Sequence, residues 1–146
     1  MGLLSAHVER VYIGAQGEEF GLGMLQRGLL AGRIAWFYAA KLVWPTDLIF
    51  IYPRWQVDPT QVGHWLFSIG AVALLGGLWW WRRRSRAPLA AVLFFGGSLF
   101  PTLGFFNVYA FLYSFVADHW QYLPSIGLIV LVAAGLTRGL DRSGLP

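Results

Sequence analysis

Long uncharged runs, separated by short charged segments, divide the chain. Between Asp58 and Arg82 lie 23 residues without formal charge, between Arg86 and Asp118 lie 31, and between Asp118 and Arg138 lie 19. A helix needs about 20 apolar residues to cross a hydrocarbon core of about 30 Å. The pattern therefore predicts an all-α fold: a polytopic integral membrane helical bundle with three to four transmembrane helices.

The predicted spans belong to one membrane domain and cover 25–45, 63–81, 88–103 and 124–138. The 31-residue run is too long for one straight span, so we expect a break at Pro101 and Gly104. The segment 104–123 then returns along the outer surface or partly dips into the membrane. The first span carries Arg27, Arg33 and Lys41, and such a cation costs about 2.5–3.5 kcal/mol at a bilayer centre. It could cross the membrane or lie partly in the interface.

Local patterns predict how these helices start and pack. The run Asp58–Gln61 is typical of a helix start, with the aspartate as N-cap and the glutamine at the third helical position. The pairs Gly76-Gly77 and Gly96-Gly97 predict close helix packing, because small residues let membrane helices approach each other. The tryptophans at 79–81 are typical of anchoring at a membrane interface.

Positive charge predicts the orientation. Four arginines lie within 82–86, and loops rich in Lys and Arg stay on the cytoplasmic side. Loop 82–87 is therefore predicted to be cytoplasmic, and loops 46–62 and 104–123 periplasmic. The side of the N-terminal residues stays open, because it depends on whether the first span crosses completely.

Composition excludes several classes of protein. Of 146 residues, 57% are hydrophobic and 12% charged, whereas soluble domains average about 25% charged residues. The absence of cysteine excludes disulfides and thiolate metal sites. The three histidines show no metal-ligand spacing, and we predict no metal and no cofactor. The net charge of +4 comes largely from the arginine turn, so a nucleic-acid partner is not expected.

Two predicted periplasmic clusters combine aromatic rings with ionisable groups. The first contains Tyr52 and Arg54; the second contains Asp118, His119 and Tyr122. The Arg54 guanidinium could hold a phosphate through two parallel hydrogen bonds, or it could be an interfacial residue paired with a nearby aspartate. Asp118 and His119 could pair with each other, or one of them could contact sugar hydroxyls or a phosphate.

These clusters carry a family resemblance. The stretch Phe115–Gly127 resembles the signature A-D-(R/H)-x-x-Y-L-P-S-x-G, and Trp36–Trp55 resembles a second stretch of the same family. The family comprises the bacterial relatives of the transmembrane and tetratricopeptide-repeat O-mannosyltransferases. These are GT-C-type glycosyltransferases, which use polyprenyl-phosphate sugars, and a tetratricopeptide-repeat array often follows their last span.

The resemblance implies a site that faces the periplasm across the bacterial inner membrane. It implies that Asp118, His119 and Tyr122 line the site for the lipid-phosphate sugar, with Tyr52 and Arg54 near it. His119 stands where the family often has arginine. The family's catalytic carboxylates lie in a first outer loop that this chain does not match, so the catalytic residues stay unknown.

We therefore expect the chain to be an incomplete, C-terminal part of a glycosyltransferase membrane domain, not catalytic on its own. The expected partners are the lipid bilayer, a polyprenyl-phosphate sugar, and the missing helices of a parent or split protein. The alternative is a small non-enzymatic membrane scaffold or assembly subunit.

Overall fold

The computed structural model describes residues 22–49, 51–107 and 109–143. Four α-helices and three 3-10 turns make up the regular structure of these residues, which contain no strand. The helices are α1 Met24–Val43, α2 Val62–Trp81, α3 Ala87–Leu99 and α4 Tyr122–Ser143, and the turns are Phe100–Thr102, Tyr109–Leu112 and Asp118–Gln121. The all-α prediction is confirmed. The side on which residues 1–21 lie falls outside the described part of the chain.

Two helical stretches are long and apolar enough to cross a membrane. They are Val62–Trp81, with a mean hydropathy of 1.5, and Asp118–Asp141, with a mean hydropathy of 1.7. The helical stretch Ala87–Thr102 is apolar but shorter, and it ends where the break was predicted. Pro101 lies in the 3-10 turn that follows α3, and Gly104 turns the chain with φ +93°, a conformation open mainly to glycine.

The predicted span 63–81 matches α2 to within one residue, but its predicted N-cap is wrong. Gln61, not Asp58, is the N-cap of α2. The Asp58 carboxylate instead accepts hydrogen bonds from the Thr60 backbone N–H at 2.9 Å and the Thr60 hydroxyl at 2.7 Å. Both bonds stabilise the charged carboxylate, the bond from the hydroxyl more than the bond from the N–H. They hold the pKa of Asp58 below its usual value of 3.8. The aspartate closes a local turn, which competes with helix capping.

Helix α1 lies at the centre of the packed core, although it is the most charged of the predicted spans. Leu30, Ile34 and Tyr38 are spaced four residues apart on one face, and all three are fully buried. Their partners come from α3 and the two segments between helices: Tyr52, Phe95, Leu99, Phe111, Phe115 and Val116.

The segment between α1 and α2 runs back along α1 instead of forming a loop beyond its end. Lys41 Nζ donates to the backbone carbonyl of Asp47 at 3.2 Å. At the opposite end of α1, Gln26 Nε2 donates to the Val57 carbonyl at 3.2 Å. A segment of this length is long enough to cover the roughly 30 Å length of a 20-residue helix. Helices α1 and α2 therefore begin at neighbouring positions.

This arrangement bears on the first predicted span. Residues 53, 54 and 56 of the returning segment are exposed, and an extended backbone is not stable where it faces lipid. If α1 crossed the membrane, this segment would have to cross it again in an extended form. Helix α1 is not among the helices that are long and apolar enough to cross a membrane.

The segment between α3 and α4 lies along α1 as well. The Arg27 guanidinium donates to the Gly104 carbonyl and to Asn107 Oδ1, each at 2.7 Å. Further along α1, Tyr38 contacts the backbone of Ala117. Part of the predicted loop 104–123 is thus buried in the core.

The prediction that the two glycine pairs mark close helix packing is wrong within the described residues. A Cβ atom added at Gly76, Gly77, Gly96 or Gly97 would meet nothing within 4 Å. A Cβ added at Gly32 would lie 2.5 Å from Ser68 Oγ. Ser68 Oγ also donates to the Gly28 carbonyl at 3.1 Å, so α1 and α2 approach closely at Gly32, where a small residue is needed.

Candidate functional site

The site centres on a tyrosine and an aspartate that are 66 residues apart in sequence. The Tyr52 hydroxyl lies 3.0 and 3.1 Å from the two carboxylate oxygens of Asp118. It also lies 3.0 Å from the Asp47 carbonyl and accepts a bond from the Ile49 N–H at 3.3 Å. The hydroxyl has one proton to donate, and the charged carboxylate is the strongest acceptor in reach. The bond therefore fixes the Asp118 carboxylate beside the buried Tyr52 ring.

A second tyrosine positions the backbone that carries Asp118. The Tyr38 hydroxyl donates to the Ala117 carbonyl at 3.1 Å and accepts from the Ala117 N–H at 2.9 Å. Ser114 Oγ adds a bond to the Val116 carbonyl at 2.7 Å. These groups are buried, where hydrogen bonds are costly to lose. Both the backbone N–H and the backbone carbonyl of Ala117, the residue before Asp118, are thus bonded to the Tyr38 hydroxyl.

Sequence reasoning missed Tyr38 as a residue of the site. Its only signal is its register, since it follows Leu30 and Ile34 on the α1 face that becomes the core. A buried tyrosine hydroxyl needs a hydrogen-bond partner, but the sequence does not reveal that the partner lies 79 residues later.

Two cationic side chains, Lys41 and Arg54, lie over aromatic rings of the site segments. Lys41 Nζ lies 5.4 Å from the Tyr52 ring and also donates to the Thr46 carbonyl. The Arg54 guanidinium carbon lies 5.2 Å from the Phe115 ring, and Arg54 is exposed. A guanidinium carries five N–H donors in a planar fork, a geometry that suits two parallel hydrogen bonds to an oxyanion.

The other two predicted residues lie at the edge of this arrangement. The His119 ring is 5.7 Å from the Trp120 ring and the side chain is exposed. Tyr122 begins α4 and is 70% exposed. Of the five predicted residues, Tyr52 and Asp118 are in direct contact, and Arg54 and His119 come from the same two segments. The Tyr122 hydroxyl has no hydrogen-bond partner among the described residues.

An apolar groove runs beside α1, between α2 and α3. Its volume is about 710 Å³. Small side chains of α1 line one wall, and larger apolar side chains line the others; they include Ala31, Ala35, Ala39, Leu74, Leu75 and Phe95. Nothing in this lining could ligate a metal, and the described residues contain no group of three His, Cys, Asp or Glu side chains that could hold one.

Comparison with known proteins identified no relative of this chain. No protein-family model, no curated protein and no solved structure matches this chain. The resemblance to the GT-C glycosyltransferases therefore stays a prediction that rests on the two sequence stretches.

Proposed function

We propose that this chain is an integral membrane protein with three crossings, made by α2, the helical stretch Ala87–Thr102, and α4. No residue of α2 is buried, although its composition is strongly apolar. A core helix of a soluble protein would bury such a surface, whereas a lipid-facing helix leaves it exposed to the acyl chains. The arginine turn 82–86 would then face the cytoplasm, and the first residues of α1 and α2, which begin at neighbouring positions, would face the periplasm.

We further infer that the chain is the donor-binding part of a glycosyltransferase that uses a polyprenyl-phosphate-linked sugar. The observation that carries this proposal is the contact between Tyr52 and Asp118. It joins the two stretches on which the family resemblance rests, and it fixes the Asp118 carboxylate against Tyr52, in the segment that also carries Arg54.

The chemistry of these groups suits a phosphate-linked sugar. The Arg54 guanidinium can donate two parallel hydrogen bonds to a phosphate at any physiological pH. The Asp118 carboxylate can accept hydrogen bonds from sugar hydroxyls while Tyr52 holds it in place. His119 would bind phosphate well only when protonated, so Arg54 is assigned the phosphate and His119 the rim of the site. No residue is assigned the role of catalytic base.

Binding of the donor tests this proposal. The purified chain in lipid nanodiscs should bind a polyprenyl-phosphate sugar saturably, and D118N should weaken binding roughly tenfold or more, because it removes a charged hydrogen-bonding group. D141N is the matched control, since Asp141 is an exposed aspartate on α4, and it should bind as the unmodified chain does. Equal binding by D118N and the unmodified chain would contradict the assignment of the site.

A second candidate function is a non-enzymatic assembly subunit. The observation that favours it is the open apolar groove beside the uncovered α2, a surface that helices of another protein could bury. This candidate predicts a folded chain in nanodiscs that binds no lipid-linked sugar. A saturable donor site that D118N abolishes would exclude it as the sole function.

A further inference from the structure

The turn between α2 and α3 concentrates positive charge at one point of the surface. Arg82, Arg83, Arg84 and Arg86 fill four of its five positions, and all four side chains are exposed. The sequence contains no Asp or Glu between Asp58 and Asp118. No carboxylate nearby along the chain therefore neutralises the turn.

Tryptophan side chains surround these arginines. The Arg82 guanidinium carbon lies 3.6 Å from the centre of the Trp79 ring, close enough for a cation–π interaction. Trp80 is 87% exposed and Trp81 is 59% exposed. Indole rings favour the headgroup level of a membrane, so the arginines are expected at the same depth as lipid phosphates.

Two adjoining hollows give the turn a shape that a ligand can fill. One has a volume of about 660 Å³ and is lined by the tryptophans and by Arg82, Arg83 and Arg84. The other, of about 600 Å³, is lined by Arg82, Arg83 and Arg86 together with apolar side chains of α3, including Leu89 and Leu93. Arg82 and Arg83 thus border both hollows, and each hollow combines guanidinium groups with an apolar wall.

We propose that this turn is a binding site for an anionic phospholipid, and that it prefers a headgroup with two phosphates, as in cardiolipin. Each phosphate would occupy one hollow, and Arg82 and Arg83 would lie between them. The apolar walls would contact the glycerol and the first carbons of the acyl chains. The inference rests on the proposed membrane insertion but not on the glycosyltransferase activity. A free polyphosphate shares the anionic chemistry but would leave the apolar walls uncovered, and so the lipid is favoured.

The test measures lipid retention by native mass spectrometry. The full chain is first reconstituted into phosphatidylcholine vesicles to check insertion by flotation. It is then released from vesicles of phosphatidylcholine mixed with phosphatidylglycerol or with cardiolipin, at equal total negative charge. The variants are R82Q/R83Q, R82K/R83K and the control R138Q, whose arginine is exposed on α4. Circular dichroism checks that each variant is folded.

We expect cardiolipin to be retained in preference to phosphatidylglycerol, and phosphatidylcholine least. R82Q/R83Q should lower the affinity for cardiolipin roughly tenfold or more, R82K/R83K should lower it less, and R138Q should leave it unchanged. Equal retention by R82Q/R83Q and R138Q would overturn the site. So would displacement of cardiolipin by inorganic pyrophosphate, or by a short RNA, at similar concentrations. If the chain floats with the vesicles but retains the three lipids equally, the lipid site alone is contradicted. If the chain does not float with the vesicles, the proposed membrane insertion is contradicted as well.

Discussion

At the scale of single residues, the site depends on two tyrosine hydroxyls that do different things. Tyr52 holds the Asp118 carboxylate directly. Tyr38 holds the backbone of Ala117, one residue earlier, by donating to its carbonyl and accepting from its N–H. The position of Asp118 thus depends on a residue that touches none of its side-chain atoms.

The substitution Tyr38→Phe tests this role. It keeps the ring but leaves the N–H and carbonyl of Ala117 buried without these bonds, so we expect it to lower the unfolding free energy by about 1–3 kcal/mol. Thermal unfolding in detergent measures the effect. Tyr122→Phe is the control, because Tyr122 is 70% exposed. This variant should unfold at the same temperature as the unmodified chain. Equal melting temperatures for both variants would show that the hydroxyl of Tyr38 is not needed.

At the scale of elements, α1 carries three cations and yet supplies the centre of the packed core. Its cations are all engaged with the two segments that lie along it. Arg27 binds the turn at Gly104, Arg33 lies 4.3 Å from the Trp55 ring, and Lys41 binds the carbonyl of Asp47. The charges that make α1 a poor transmembrane helix therefore attach the non-helical segments to the core.

The contact between α1 and α2 predicts opposite outcomes for two glycine substitutions. Gly32→Ala places a methyl group against the Ser68 backbone, 2.7 Å from Cα, and should destabilise the chain by about 1–3 kcal/mol through overpacking. Gly76→Ala fills open space and should be neutral or stabilise α2 by up to about 1 kcal/mol, because alanine is the better helix former. Chemical unfolding in detergent compares the two, and a Gly32→Ala variant as stable as Gly76→Ala contradicts the packing.

At the scale of the whole molecule, apolar surface is distributed in an unusual way. The core forms around α1 and the segments beside it, while α2 and most of α4 stay exposed. For a soluble chain this would be an aggregation-prone surface. For a chain in a bilayer it is the surface that faces lipid, and the polar contacts of α1 lie to one side of it.

Membrane topology can be tested directly, because the chain has no native cysteine. Single cysteines at Gly23, Gln56 and Ser85 should be labelled by a membrane-impermeant maleimide. We expect Gly23→Cys and Gln56→Cys to be labelled from the same side, since α1 and α2 begin at neighbouring positions, and Ser85→Cys from the opposite side. Labelling of Gly23→Cys from the side of Ser85→Cys would contradict the arrangement in which α1 and α2 begin at neighbouring positions.

The sequence alone determined the features that depend on local composition. The helix at 62–81 and the break after Leu99 follow from uncharged runs and from Pro101 and Gly104, because helix length and backbone freedom are local properties. Only the tertiary structure decided the rest. The pairing of Tyr52 with Asp118, the support by Tyr38, and the close contact at Gly32 all join residues far apart in the chain. No local pattern distinguishes a glycine that meets another helix from one that faces open space, since that difference depends on how the helices cross.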